Sequence, residues 1–431
     1  MNGQLTATRT AFRGWDACAL DNGLVRLVAV PDIGGRVMAY DLGPHPFFYV
    51  EPALAGRLFT PEENQGDGSL AAWKNYGGDK TWPAPQGWDN DQQWHGPPDP
   101  VLDSGRYRLD ALRADGQAAV VRMVSPPDAR TGVQITRALT LRPHTSRVRL
   151  DLAFANVSAR PVRWSIWDVA QLNAARRLPD GTTAHDPACV VTVPLNPASR
   201  FARGYNVMFG ADDNPQWQAD AGAGLFRAPY RWQIGKVGLD SPAGWVAFFG
   251  GESGFAFVEH FAYEPGADYP DGGATVEVWT VGAGQVGSLD YAGSGINLME
   301  TEILGPLRTI QPGESAAFSV EWAACRLPGP VVSVSEAGAA AVPLRAARLD
   351  GGYVRLSAQM GVYDQGELRL VWLDAAGNAL ATWPRGLADP LGAVMIDRVI
   401  RPPAGAAAAD LRVLAADGAE RLLARAALTE E

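Results

Sequence analysis

Between residues 147 and 154 apolar and polar side chains alternate one for one: Val148, Leu150, Leu152 and Phe154 share one face, and Arg147, Arg149 and Asp151 share the other. Successive side chains of a strand point to opposite faces, so this run is a half-buried antiparallel strand. Similar runs occur at 24–30, 36–42, 107–113, 119–124, 133–141, 162–169, 245–249, 274–281 and 296–304, whereas helical spacing over ten or more residues is hard to find. Asp-Gly dipeptides at 67–68, 115–116, 180–181, 271–272, 350–351 and 417–418 supply positive-φ turn positions, and those at 115–116 and 417–418 lie between alternating runs as hairpin turns do. Many short strands with Gly and Pro punctuation predict an all-β sandwich or barrel rather than a βαβ fold.

The segment Arg326-Leu327-Pro328-Gly329-Pro330 follows a strand at 317–324, and its two prolines cannot continue a sheet ladder. It divides the 431 residues into 1–327 and 331–431, each long enough for its own core. Beyond it only two of the 14 tryptophans remain, alanine rises, and short strands are predicted at 353–358, 368–373, 411–415 and 422–427. That rhythm suits a small immunoglobulin-like or fibronectin-like β-sandwich. Glycan binding, homodimer formation and capping of the larger unit all stay open as its role.

Several function classes drop out. A formal charge of −10 without a Lys/Arg run disfavours nucleic acid as a partner. Cys18, Cys189 and Cys325 are odd in number and far apart, which signals neither a disulfide framework nor a zinc site. The N-terminus lacks the basic and apolar regions of a signal peptide, and no stretch is long and apolar enough for a membrane span, so a cytoplasmic protein without membrane association is expected. The one G-x-G-x-x-G match, Gly282 to Gly287, is followed by loop and strand signals instead of the helix that would hold a pyrophosphate. No histidine pair has metal-ligand spacing. Neither a cofactor nor a metal is implied.

Three segments carry chemistry. Residues 73–100 hold Trp73, Trp82, Trp88 and Trp94 among Gly and Pro, with Lys80, Asn75, Asp79 and Gln86 interspersed. Indole faces beside bidentate polar groups match a sugar ring, which offers CH-rich faces and hydroxyls. A Trp-pinned loop covering one end of the sandwich is the plainer reading. In the strand 162–171, Trp164, Ile166 and Asp168 share one face, and Trp167, Val169 and Gln171 the other. Asp168 among apolar neighbours has a raised pKa, a dedicated partner, or a place at a strand end in solvent. Glu300 and Glu302 project from one strand face with Cα atoms about 6.5–7 Å apart, where one carboxylate raises the other's pKa or Lys80 and Lys236 balance them. His260, at the polar end of the apolar run 255–263, is the histidine best placed for catalysis, with a structural role as the alternative.

The order of these segments resembles the galactose mutarotase-like superfamily over roughly residues 15–325. An opening strand pair with a Gly-rich turn at 27–37 matches its start, Tyr76-Gly77-Gly78 falls where aldose 1-epimerases have His-Gly-Gly, and Glu300-Thr301 falls where they place Glu-Thr. The strings Gly-Gly-Asp-Lys-x-Trp-Pro-Ala-Pro-Gln and Glu-x-Glu-x-Leu-Gly-Pro are most like a bacterial branch of poorly defined function. The resemblance implies a large antiparallel β-supersandwich, a mono- or oligosaccharide or sugar acid as ligand, and Glu300 as general base of a mutarotase or epimerase. Two departures stand out: Tyr76 replaces the histidine, and the Asn-His pair that carries the usual acid is replaced near Trp167-Asp168. The acid then falls to His260, Asp168 or Lys80, while Lys80, Trp82, Gln86, Trp88, Trp167, Lys236 and Glu302 hold the ring. A non-catalytic carbohydrate-binding protein, and a glycoside hydrolase or polysaccharide lyase using the same face, are the alternatives.

Overall fold

In a computed structural model, residues 5–87 and 94–430 are described. Two antiparallel sheets form a large sandwich. The first has twelve strands, ten of them in the order Thr6–Phe12, Trp15–Asp21, Val25–Val30, Arg36–Leu42, Asp79–Ala84, Val162–Asn173, Leu298–Leu304, Val276–Thr280, Gly235–Leu239 and Asn206–Gly210. The second has ten, from Gln218–Asp220 through Cys189–Pro194, Phe255–Phe261, Ser315–Arg326 and Val148–Asn156 to Arg108–Ala114. Inward-facing residues of both sheets, among them Leu27, Tyr40, Ile135, Leu150, Phe257 and Trp322, make one continuous core. The chain is therefore all-β, as the alternation predicts. No helix among the described residues is long and apolar enough to cross a membrane.

The strand at Asp79–Ala84 departs from expectation, because the tryptophan-rich segment reads as one long loop. All six of its residues are buried, so it shows no alternation. Pro83 is tolerated because the strand pairs along its length only with Val162–Asn173; toward Arg36–Leu42 it makes a single pair, Val37 with Asp79.

Residues 333–430 form a separate eight-stranded sheet around a core that includes Leu356, Leu370, Trp372 and Leu411. It docks on the outer face of the second large sheet, where Ala247, Phe249, Val258 and Cys325 pack with Val331, Ala339 and Tyr363. The joint is tied by backbone and side chain: the Ser146 N–H donates to Tyr363 O at 2.8 Å, the Arg326 N–H to Pro390 O at 2.7 Å, and Thr145 Oγ1 to Asp364 Oδ1 at 2.6 Å.

Candidate functional site

Gly77 and Gly78 deliver the chain into the strand Asp79–Ala84. Both have positive φ, +91° and +70°, and the Gly78 N–H donates to Tyr49 O at 2.8 Å. A Cβ on Gly77 would lie 2.2 Å from Tyr49 O, and one on Gly78 2.5 Å from Val37 O. Only glycine combines that φ with so close a backbone approach. Gly78→Ala is therefore expected to lower stability by at least about 1 kcal/mol, read as a lower urea midpoint with unchanged slope; an unaltered midpoint would show that the turn relaxes freely.

From this turn the pairing register sets the site. Lys80 lies opposite Val169, Val169 opposite Glu302, and Glu302 opposite Glu277. In the next row on the same face, Gln171 lies opposite Glu300, Glu300 opposite Trp279, and Trp279 opposite Lys236. Trp82 and Trp167 are paired on the same face in the row on the other side of Lys80 and Val169. Five strands thus lay two lysines, three glutamates and a glutamine on the outer face of the first sheet, beside indoles.

The groups engage in two linked sets. Lys80 Nζ donates to Glu300 Oε1 at 3.1 Å, and Gln171 Nε2 donates to the same oxygen at 2.5 Å. Glu300 Oε2 takes no hydrogen bond from the described residues. Lys236 Nζ lies 2.7 Å from Glu277 Oε2 and 2.9 Å from Glu302 Oε2, while Glu302 Oε1 is buried without a hydrogen-bond partner among the described residues. Both ammonium groups sit over indoles, Lys80 at 4.7 Å from Trp82 and Lys236 at 4.4 Å from Trp167.

Burial dominates the titration of these groups. It pushes Glu302 up to about 8, with Lys236 opposing and Glu300 and Glu277 reinforcing. It pushes Glu277 up to about 7, again against Lys236 and with Asp271 reinforcing. Lys80 is lowered by burial, which the Glu300 charge only partly offsets. For Lys236 burial also acts downward, but Glu277 and Glu302 outweigh it and raise the ammonium's pKa.

Glu300, Gln171, Lys236, Trp82, Trp167 and Gln86 line one slot, walled further by Trp73, Trp279 and Tyr291. The indole N–H groups of Trp82 and Trp167 and the Gln171 Oε1 are buried without a hydrogen-bond partner among the described residues. Native proteins leave few such groups, so each marks a place where a polar ligand atom gains. The slot holds only about 50 Å³, room for a few waters. Its rim is fastened where the Ala71 N–H donates to Ser288 Oγ at 3.0 Å, joining the turn Leu70–Ala72 to the hairpin of Gln285–Val286 and Leu289–Asp290.

The remaining sequence candidates lie elsewhere. Asp168 points between the sheets, where Arg137 lies 3.8 Å away and Thr81 Oγ1 donates to it at 3.1 Å. Burial, offset by Arg137, raises its pKa to about 6. It therefore has both the raised pKa and the partner foreseen for an apolar face, but on the side away from the slot. His260 is on the second sheet, packed edge-on to Tyr363 with ring centroids 5.7 Å apart, at the joint with residues 333–430. Neither can reach a ligand in the slot. Trp94 is fully buried and donates to Asp99 Oδ2 at 2.8 Å, so it pins its segment rather than stacking a ligand. Trp88 lies outside the described residues. Gln171, Trp279 and Tyr291 were missed; alternation did place Gln171 on the face of Trp167, but its meeting with Glu300 depends on pairing across 129 residues.

A larger cleft, about 1010 Å³, runs beside the joint of the two units, but its Arg147 and Arg421 are already engaged by Glu321, Asp364 and Asp417. The slot, with its unpaired buried polar atoms, is the stronger candidate.

A family model described as a domain of unknown function, DUF4380, matches residues 16–325. No curated protein matches the chain. Among solved structures, a galactose mutarotase-like protein from Clostridium acetobutylicum aligns at 12% identity and TM-score 0.45 over 75% of this chain and 100% of its own. A galactose mutarotase-like protein from Lactobacillus casei aligns at 9% and 0.41 over 71% and 99%. A galactose mutarotase related enzyme from Lactobacillus acidophilus aligns at 10% and 0.39 over 71% and 96%.

Proposed function

Given that the chain belongs to the DUF4380 family, described as a domain of unknown function, we propose that its large sandwich is a sugar mutarotase or epimerase with Glu300 as general base. One observation carries this reading: a carboxylate held through one oxygen by Lys80 and Gln171, at the wall of an indole-lined slot that contains unpaired buried N–H and C=O groups. Ring opening needs a base to take the anomeric hydroxyl proton while an acid protonates the ring oxygen. Glu300 Oε2 is the group suited to the first task. Indole faces pack on the CH-rich side of a pyranose, while the Trp82 and Trp167 N–H groups donate to its hydroxyl oxygens and the Gln171 carbonyl accepts from a hydroxyl. A pyranose is larger than the slot, so binding requires the 70–72 turn and the 285–290 hairpin to part.

A second reading, a carbohydrate-binding protein without catalysis, is favoured by the positions of Asp168 and His260 outside the slot. The two separate in one experiment. A panel of neutral aldoses and uronic acids is titrated calorimetrically, and exchange between anomers is followed by NMR magnetisation transfer. Binding with accelerated exchange supports the enzyme, binding without it supports the second reading, and neither binding nor exchange across the panel overturns both.

A further inference from the structure

Resting on the mutarotase reading, we infer that the acid of this site is Lys236, and that Glu302 and Glu277 resupply its proton. Among the described residues Lys236 is the cationic side chain that lines the slot together with Glu300. One strand separates it from Glu300, the two flanking Trp279 in the same row, so a ring between them meets the base on one side and the ammonium on the other. Its Nζ is held by two carboxyls at 2.7 and 2.9 Å, both on strands of the same sheet.

The charge count explains why such a set carries a spare proton. One ammonium against two carboxylates would bury a net negative charge: Glu277 is 1% exposed and Glu302 is fully buried. Desolvating an uncompensated charge is costly, and a proton shared within the set removes it. Among the described residues the outer oxygen of Glu302 has no hydrogen-bond partner, while Glu277 lies beside the Asp271 carboxyl, an acceptor that a protonated Glu277 can use. The remaining charged neighbours are Glu300, which faces Glu302, Lys80, which neutralises Glu300, and Asp271, which acts on Glu277. Asp271 is only half-buried and gives the set a way to exchange protons with solvent.

The step balances. Glu300 removes the proton from the anomeric hydroxyl, the C1–O pair becomes a carbonyl, and the bond from C1 to the ring oxygen breaks with its electrons on that oxygen. Lys236 gives the ring oxygen a proton and takes one from the carboxylic acid of Glu302 or Glu277. The donor seen from outside is a carboxylic acid titrating near neutrality, well matched to the task, whereas an isolated ammonium held by two carboxylates is a poor acid. Reclosure on the other face of the carbonyl runs the transfers backwards.

The test is Lys236→Arg. A guanidinium keeps the charge between Glu277 and Glu302 and so preserves the fold, but it does not release its proton. With wild-type protein that binds and exchanges a sugar, Lys236→Arg is expected to bind it and to lose exchange by about 10²-fold or more. Glu302→Gln removes the spare proton: the fall of the wild-type rate as pH rises through about 8 is expected to disappear, with a lower rate at pH 7. Exchange at the wild-type rate in Lys236→Arg, or an unaltered alkaline limb in Glu302→Gln, overturns the assignment of the acid while leaving Glu300 and the sugar reading intact. Absence of both binding and exchange in the wild type overturns the sugar reading first, and this assignment with it.

Discussion

Glu300→Gln is expected to reduce anomeric exchange by about 10²–10⁴-fold, the usual contribution of a positioned base, while leaving a folded protein that still binds sugar. The amide has the shape of the carboxyl and keeps an acceptor oxygen for Lys80 and Gln171, so the slot retains its walls. What it loses is the ability to take a proton. Lys80 is the side chain most affected, because burial already lowers its pKa and the Glu300 charge is what opposes that; in the variant it loses its proton more readily and the site stays uncharged there. Calorimetry and magnetisation transfer on the same sample give the result. Sugar affinity within about tenfold of wild type with exchange gone assigns the base, whereas persistent exchange removes Glu300 from the mechanism.

The largest loss of stability is expected at Arg137, which never touches the slot. Its side chain is fully buried between the sheets; it pairs with Asp79, lies 3.8 Å from Asp168, and donates to Gly35 O at 2.8 Å. Glu259, also buried, adds a third carboxyl beside them. Arg137→Met removes the guanidinium that pairs with Asp79, and breaking a buried pair in this way costs about 3–5 kcal/mol. Asp79→Asn added to Arg137→Met should recover part of the loss, since an amide in that place needs no counter-charge.

The same carboxyls set the direction of the pH dependence. Burial raises Asp79 and Glu259 well above the ordinary range, against Arg137 in the case of Asp79, and raises Asp168 to about 6. A carboxyl with a raised folded pKa stabilises the fold in its protonated form, and that contribution is lost as pH rises through the folded value. For Asp168 the loss runs from about pH 4 to about 6, and Glu277 and Glu302 extend it to about 7 and about 8. The urea midpoint should therefore fall between pH 5 and pH 8. A midpoint that rises over that interval would mean that these groups are ionised and compensated.

Strands with one wet and one dry face were legible. Residues 133–141 and 119–124 read from alternation at the bounds they occupy, and 147–154 within one or two residues of Val148–Asn156. Asp79–Ala84 was not, because a strand buried on both faces has no alternation, and Gly77-Gly78, Pro83 and Pro85 around it resemble loop punctuation. Within the site, the shared face of Glu300 and Glu302 follows from a two-residue spacing, and both balancing lysines could be named. Their partners could not be matched one to one, since the choice of Lys80 for Glu300 and Lys236 for Glu302 is made by strand order across the sheet. The same limit misplaced His260 and Asp168 as acids: local pattern tells which residues share a face, but not whether that face looks into the slot, into the core or toward the joint.

The bond between Ala71 and Ser288 bears on time as much as on shape. A ligand too large for the closed slot waits for its rim to open, so the observed association rate should level off with rising sugar concentration instead of climbing linearly. The same fastening retards escape, giving a modest affinity an unusually long dwell. Ser288→Ala, which cuts the fastening at the hairpin and leaves every slot-lining side chain in place, would quicken arrival and departure together.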